Sequence, residues 1–80
     1  MSDNDYSTDD EEQFLSFKIA MDACGPVRQL VRESEGIEKE QWSSCRGRYH
    51  VDITIIGIKA RQTRLKIERA IRMAGGVVFD

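Results

Sequence analysis

Two stretches of this 80-residue chain alternate apolar and polar side chains, and this alternation constrains the fold more than any other feature. In the first stretch, residues 15–23, the odd-numbered positions hold Leu15, Phe17, Ile19, Met21 and Ala23. In the second, residues 48–58, one side of the alternation holds Tyr49, Val51, Ile53 and Ile55. Successive side chains of a β-strand point to opposite faces of a sheet, so a period of two predicts two half-buried strands.

The segments that follow these two strands change to a helical spacing. After the break at Gly25 and Pro26, one helical face continues to about residue 35, and its apolar residues are Val27, Leu30 and Val31. A second helix is predicted for residues 59–74, with an apolar stripe formed by Ala60, Thr63, Ile67, Ala70, Ile71 and Ala74. The glycines at residues 36, 75 and 76 suit the ends of these helices.

Three further segments complete the pattern. A weaker, more polar strand is predicted for residues 37–45, a hairpin turn at Arg46 and Gly47, and a short last strand for residues 77–79. The resulting order, β-α-β-β-α-β, is that of the α+β ferredoxin-like fold, with an antiparallel sheet in the order 4-1-3-2 and both helices on one face. Strands one and three are the most apolar and should be central, whereas strands two and four suit the edges.

The alternative fold is a winged helix, in which residues 26–45 would form two helices and the hairpin would be the wing. In the ferredoxin-like arrangement, the open face of the sheet would carry Ser16, Lys18, Asp22, His50, Asp52 and Thr54. RNA-recognition domains stack bases on aromatic residues of such a face. In strands one and three only Phe14 has the required parity, and Tyr49 should point into the core, so we do not expect this mode.

The formal net charge of −2 conceals a strong asymmetry. Residues 1–40 hold eleven acids and four bases, whereas residues 41–80 hold three acids and eight bases. Residues 1–12 contain six of the acids and too little apolar surface to order themselves, so we expect a disordered acidic tail before a single domain at residues 13–80. No long apolar run and no secretory signal is visible, so we expect a cytoplasmic protein without membrane contacts.

Few residues could carry catalysis. Cys24 and Cys45 lie too far apart in sequence for a C-x-x-C motif, and His50 is the only histidine, so we predict neither a metal site nor a cofactor. Cys24 precedes a predicted helix N-terminus, which can activate a thiol, and it could meet His50 if strands one and three pair. No third orienting group is evident, and a small buried residue is the simpler interpretation. We therefore predict that the protein is not an enzyme.

The sequence around the predicted hairpin resembles that of a known family. Residues 43–50, SSCRGRYH, followed by VDITI, resemble the YbeD-like family of small bacterial proteins. The family pattern would fall on Ser43, Ser44, Arg46, Gly47 and Tyr49, with Cys45 as an additional residue. Residues 17–19 and Gln62 also occupy similar places, so the resemblance could cover residues 13–79. It implies a ferredoxin-like fold similar to ACT-type regulatory domains, a ligand- or protein-binding regulator, and association as a homodimer.

The last predicted helix is strongly basic and gives the main functional hypothesis. Its bases are accompanied by one acid, Glu68, and Leu65 lies among the arginines, nearly opposite Ile67. An exposed leucine surrounded by arginines suits a protein interface better than a phosphate track. We therefore predict a non-enzymatic regulator or inhibitor that binds a protein with an acidic surface, through Trp42, Arg61, Leu65, Arg69 and Arg72.

Two alternatives stay open at this point. A nucleic-acid-binding module would make salt-sensitive phosphate contacts with the basic residues of the hairpin and the last helix, namely Arg46, Arg48, Arg61, Arg64, Lys66, Arg69 and Arg72. An ACT-like domain would instead sense a small ligand. A small acidic-tailed chain without a catalytic constellation also fits a phage-encoded host-takeover or anti-defence protein, although no motif establishes that origin.

Overall fold

The computed structural model describes residues 12–79, which form strands, two α-helices and one short 3-10 turn. The elements are β1 (Glu12–Ala20), α1 (Gly25–Glu33), β2 (Ile37–Cys45), β3 (Arg48–Ile56), α2 (Ala60–Met73) and β4 (Val77–Phe79). Of the predicted acidic tail, residues 1–11 lie outside the described residues, as does Asp80. Glu12, which was expected to end the tail, instead begins β1.

The strands form a four-stranded antiparallel sheet in the order β2-β3-β1-β4. The predicted order is confirmed, with the two most apolar strands, β1 and β3, at the centre. The winged-helix alternative is wrong, because residues 37–45 form strand β2 and pair with β3. The architecture is α+β and consistent with a ferredoxin-like fold.

The core lies between one face of the sheet and both helices. The odd-numbered residues of β1 and β3 supply the sheet side, and each helix contributes the apolar face that its spacing predicts. The largest fully buried side chains are Phe17, Val27, Val31, Val51, Ile55, Ile67 and Ile71. Removing one such side chain from water stabilises the fold by about 1.5–3 kcal/mol, which matters in a domain too small for a second core.

Strand β1 ends earlier than its alternating pattern predicts. Its last pair joins Ala20 to Arg48, the first residue of β3, and the 3-10 turn Met21–Ala23 follows. Beyond that pair, the N–H of Met21, the first residue of the turn, donates to the carbonyl of Gly47 at 3.0 Å. The strand therefore stops where its partner strand begins, and Asp22 does not reach the open sheet face on which it was expected.

The β2–β3 hairpin turns at Arg46 and Gly47, as predicted. Both residues have positive φ, 53° and 80°, as a two-residue type I′ turn requires. Glycine adopts this conformation without steric cost, and Arg46 tolerates it because the turn matches the twist of the two strands. The turn fixes the register in which Cys45 pairs with Arg48, and that register places Arg48 on the open sheet face.

Candidate functional site

The outward side of α2 is the first candidate surface. Leu65 is 52% exposed and Met73 is 82% exposed, whereas Ile67 and Ile71 on the inner side are fully buried. Leu65, Arg69 and Met73 follow one another at intervals of four residues, so they form one ridge along the helix. We call this surface the outer α2 face; its exposed residues are Arg61, Leu65, Lys66, Arg69, Arg72 and Met73.

The acid of α2 lies at the border of the outer α2 face. Glu68 is only 9% exposed, and its carboxylate lies 3.6 Å from Nε of Arg64 and 3.8 Å from Nη1 of Arg72. These arginines precede and follow Glu68 by one helical turn, so they hold the carboxylate along the flank of the helix. The outer α2 face therefore presents basic side chains around an apolar ridge.

Trp42, on the edge strand β2, packs against the core. Its ring is half-buried and packs edge-on against Phe17 and Tyr49, with ring centroids 6.1 and 5.4 Å apart. The guanidinium of Arg28 lies 5.0 Å from the Trp42 ring centroid, and the indole Nε1–H donates to Oε1 of Glu40 at 2.9 Å. A tryptophan on a polar edge strand can either cap the core or anchor an interface. The contacts of Trp42 are those of a side chain that caps the core.

The predicted partner-binding residues consequently lie in two places. Arg61, Leu65, Arg69 and Arg72 share the outer α2 face and are all exposed. Trp42 lies on β2, at the opposite edge of the sheet from β4, whereas α2 packs against β1, β3 and β4. The structure therefore brings four of these residues together and leaves Trp42 apart. Met73 completes the ridge, and its position eight residues after Leu65 is the signal that identifies it in the sequence.

The predicted nucleic-acid-binding residues also divide. Arg46 and Arg48 line a surface hollow of about 530 Å³ together with Lys18 and Cys45, at the hairpin end of the sheet. The basic residues of α2 lie in the helix layer, on the other side of the sheet. Of these, Arg64 is half-buried beside Glu68. Within residues 12–79 the hairpin bases and the bases of α2 are therefore separated by the sheet, whereas Lys18, which the sequence places on the open face, joins the hairpin group.

Aromatic rings on the open sheet face are the second candidate surface, and here the expectation from sequence is corrected. Phe79 of β4 pairs with Ser16 of β1 and therefore shares the open face with Phe14 and His50. Phe14 is 67% exposed and Phe79 is 40% exposed, and the ring of Phe79 lies 5.5 Å from that of His50. The sequence could not assign Phe79 to a face because the pairing of a three-residue strand depends on a distant partner.

A polar group lies beside these rings. The Ser16 hydroxyl donates to Oδ1 of Asp52, and Nε2 of His50 lies 3.7 Å from the same carboxylate oxygen. This is not the geometry of a Ser-His-Asp nucleophile, in which the histidine accepts the serine proton, because here the serine hydroxyl is bonded to the carboxylate. The group offers hydrogen-bonding atoms on an exposed sheet.

The structure does not bring Cys24 and His50 together. Cys24 is buried in the core, and its Sγ donates to the carbonyl of Met21 at 3.2 Å. His50 has the open-face parity of β3 and points away from that core. The suggested thiol–imidazole contact is therefore wrong, because the sheet separates the two side chains.

No protein-family model matches the sequence. A search of curated proteins likewise finds no match. Within residues 12–79, no helix has the length and apolar character needed to cross a membrane, and no three His, Cys, Asp or Glu side chains are grouped to hold a metal ion. The resemblance to the YbeD-like family stays a prediction based on the hairpin residues.

Proposed function

We propose that the protein is a non-enzymatic regulatory or inhibitory module that binds another protein through the outer α2 face. One observation carries this proposal: Leu65 and Met73 are 52% and 82% exposed on a single ridge, with Arg69 between them. The inner stripe of α2 already fills the core, so folding does not require these two side chains. Removing a leucine-sized side chain from water contributes about 1.5–3 kcal/mol to a complex.

The charges around the ridge define the chemistry of the partner. The basic residues of the outer α2 face are Arg61, Lys66, Arg69 and Arg72, and the acid that borders this face, Glu68, lies 3.8 Å from Nη1 of Arg72. A complementary partner offers an apolar pocket rimmed by aspartate and glutamate. Arginine is enriched among binding hot spots, and opposite charges speed the encounter of two proteins. We expect an association rate that falls as the salt concentration rises.

The proposal also includes the fold family, the cellular location, the oligomeric state and the biological role of the protein. The strand order β2-β3-β1-β4 supports a ferredoxin-like domain with ACT-like features. A cytoplasmic location, homodimer formation and a phage-encoded host-takeover or anti-defence role stay predictions from the sequence. Sensing of a small ligand by an ACT-like domain is the alternative that involves no partner protein.

A selection for binding peptides tests the proposal and does not require the natural partner to be identified. Random peptides displayed on phage are selected against the immobilised full-length protein, and the affinities of the selected peptides are measured by calorimetry. We expect sequences in which acidic and apolar residues alternate or recur at helical spacing. The double variant Leu65→Glu, Arg69→Glu should weaken their binding by at least about tenfold, since it removes the apolar anchor and reverses a charge.

A matched control on α1 distinguishes an effect of the outer α2 face on binding from an effect of the total charge. The double variant Gln29→Glu, Arg32→Glu changes the net charge by the same amount at two exposed helical positions. We expect it to bind the selected peptides like the original protein. Circular dichroism shows whether both variants stay folded. Peptides that bind the two variants equally well would place the interaction outside the outer α2 face.

A further inference from the structure

We propose that the open sheet face is a binding site for single-stranded nucleic acid. The site combines the exposed rings of Phe14, His50 and Phe79 with the basic hollow at the hairpin end. It is separate from the outer α2 face, because both helices pack on the opposite side of the sheet. The proposal does not depend on the protein-binding function proposed above.

The rings form a stacking platform that the core does not need. Phe79 pairs with Ser16, and Phe14 stands two residues before Ser16 on the same face of β1, about 7 Å away along the strand. On the other side, the ring of Phe79 lies 5.5 Å from that of His50, tilted by 34°. Every base has a face that can stack on an aromatic ring, so such a platform binds unpaired bases with little dependence on sequence.

Basic side chains lie next to this platform on the same face. Lys18 pairs with His50. Arg48 pairs with Ala20, two residues further along β1, so this second pair lies about 7 Å from the first. Together with Arg46, Lys18 and Arg48 line the hollow of about 530 Å³, and within residues 12–79 its other lining residue is Cys45. Among residues 12–79, three cations and no acid line this hollow, and such a lining suits phosphate groups. A strand that lies along β1 and β3 would thus place bases on the rings and phosphates over the hollow.

A smaller hollow between two rings could accept the edge of a base. It has a volume of about 220 Å³ and lies between Phe14 and Phe79, with Ser16, Asp52 and Thr54 among its lining residues. The Asp52 carboxylate accepts a hydrogen bond from the Ser16 hydroxyl and has further lone pairs for a second donor. Carboxylates accept from exocyclic amino groups such as that of cytosine. We therefore expect cytosine-rich strands to bind better than uracil- or thymine-rich strands, which lack that amino group.

The same geometry argues against a duplex. Paired bases are stacked inside the helix and cannot lie flat on rings of a sheet. Asp52, near the middle of the ring platform, would also repel a phosphate backbone placed there. Phosphates are expected only at the hairpin end, where Lys18, Arg46 and Arg48 meet.

Fluorescence anisotropy with labelled oligonucleotides of about twelve residues tests the site. The probes are oligocytidine and oligouridine strands and an RNA duplex of the same length, titrated with the full-length protein at about 50 and 150 mM salt. We expect binding to the single strands, strongest for oligocytidine. Phe79→Ala should weaken it by about 5- to 150-fold. Lys18→Gln with Arg48→Gln should weaken it and flatten its salt dependence, by about 0.7 in the logarithmic slope for each lost phosphate contact.

Matched variants on α2 provide the controls. Leu65→Ala also truncates an exposed apolar side chain, and Lys66→Gln with Arg69→Gln removes the same charge as the pair on the sheet. Both controls should keep the single-strand affinity within about twofold, because they lie on the other side of the sheet. A dissociation constant weaker than about 100 µM at the lower salt, tighter binding of the duplex, or a larger loss in the α2 variants would each overturn the proposal.

Discussion

At the edge strand β2, a short series of individual contacts closes the core. Phe17 and Trp42 meet edge-on at 89°, Trp42 and Tyr49 meet at 86°, and the Arg28 guanidinium covers the Trp42 ring. Edge-on aromatic pairs contribute about 0.5–1.5 kcal/mol beyond the area that they bury. One arginine thus shields rings that a polar edge strand would otherwise leave in water.

The covering arginine makes a specific prediction. Arg28→Ala should lower the free energy of unfolding by about 1 kcal/mol, because it removes the cation above Trp42 and the side-chain carbons that cover the rings. Urea unfolding followed by the fluorescence of Trp42, the only tryptophan of the chain, measures the change. Arg32→Ala removes the same charge from an exposed position of α1 and should change stability by less than about 0.5 kcal/mol. Equal losses in the two variants would contradict the role of Arg28.

Two glycines with the same backbone conformation allow strain and crowding to be separated. Gly36 and Gly75 both have φ of 83°. A Cβ at Gly36 would overlap the carbonyl oxygen of Ile56, whereas a Cβ at Gly75 would meet open space. Gly75→Ala should therefore cost about 1–2 kcal/mol for the left-handed conformation alone, and Gly36→Ala should cost about 1–3 kcal/mol more. Thermal unfolding compares the two variants, and similar losses would mean that β3 moves freely away from Gly36.

At the scale of one element, α2 buries one side in the core and exposes the other. The side that faces the sheet supplies Ile67 and Ile71 to the core, and the opposite side exposes Leu65 and Met73. Glu68 occupies the boundary between the two sides. Such a helix is amphipathic, with its main apolar face toward the core, and it carries a second, smaller apolar strip on the side that faces solvent.

The boundary residue of α2 gives a prediction at this scale. Glu68→Gln should lower the free energy of unfolding by about 1 kcal/mol, since it removes the charge that faces Arg64 and Arg72 on a nearly buried side chain. Differential scanning calorimetry provides the measurement. Glu35→Gln changes the charge equally at an exposed position and is expected to alter stability by less than about 0.5 kcal/mol. A loss that is no larger for Glu68→Gln would show that its two ion pairs contribute nothing.

At the scale of the whole molecule, the sheet separates two surfaces of different chemistry. On the helix side of the sheet, the surface in contact with solvent includes the basic, partly apolar outer α2 face. The open side of the sheet carries the rings of Phe14 and Phe79 and the basic hollow near Arg48. Because the core and the sheet lie between them, a substitution on one surface should leave binding at the other unchanged.

The strand order predicts how exchange protection is distributed over the molecule. Backbone amides of β3, and those of β1 at residues 16–18 where β4 pairs, should exchange most slowly with solvent deuterium, because these segments have a partner strand on each side. Amides of β2 that point away from β3 should exchange far faster, since no strand of residues 12–79 pairs with them. NMR at several protein concentrations measures this. Strong protection of those outward amides that increases with concentration would contradict an open edge and indicate a homodimer paired through β2.

The sequence by itself determined the type, order and buried faces of the elements. Alternation in β1 and β3 and the helical stripe of α2 are local properties, and each marks which side chains must leave water. Because only the two apolar strands can be buried on both flanks, the order of the sheet follows from the same pattern. The exposure of Leu65 among arginines could also be predicted, since its helical phase is opposite to that of Ile67.

Only the tertiary structure decided the features that depend on pairing between distant segments. The end of β1 at Ala20 is set by the start of β3, and the face of Phe79 is set by its pairing with Ser16. The separation of Trp42 from the outer α2 face likewise follows from its place on the edge strand β2, since α2 packs over β1, β3 and β4. Periodicity fixes which side of an element is buried, but the neighbours of each side chain depend on register and packing, which no local pattern encodes.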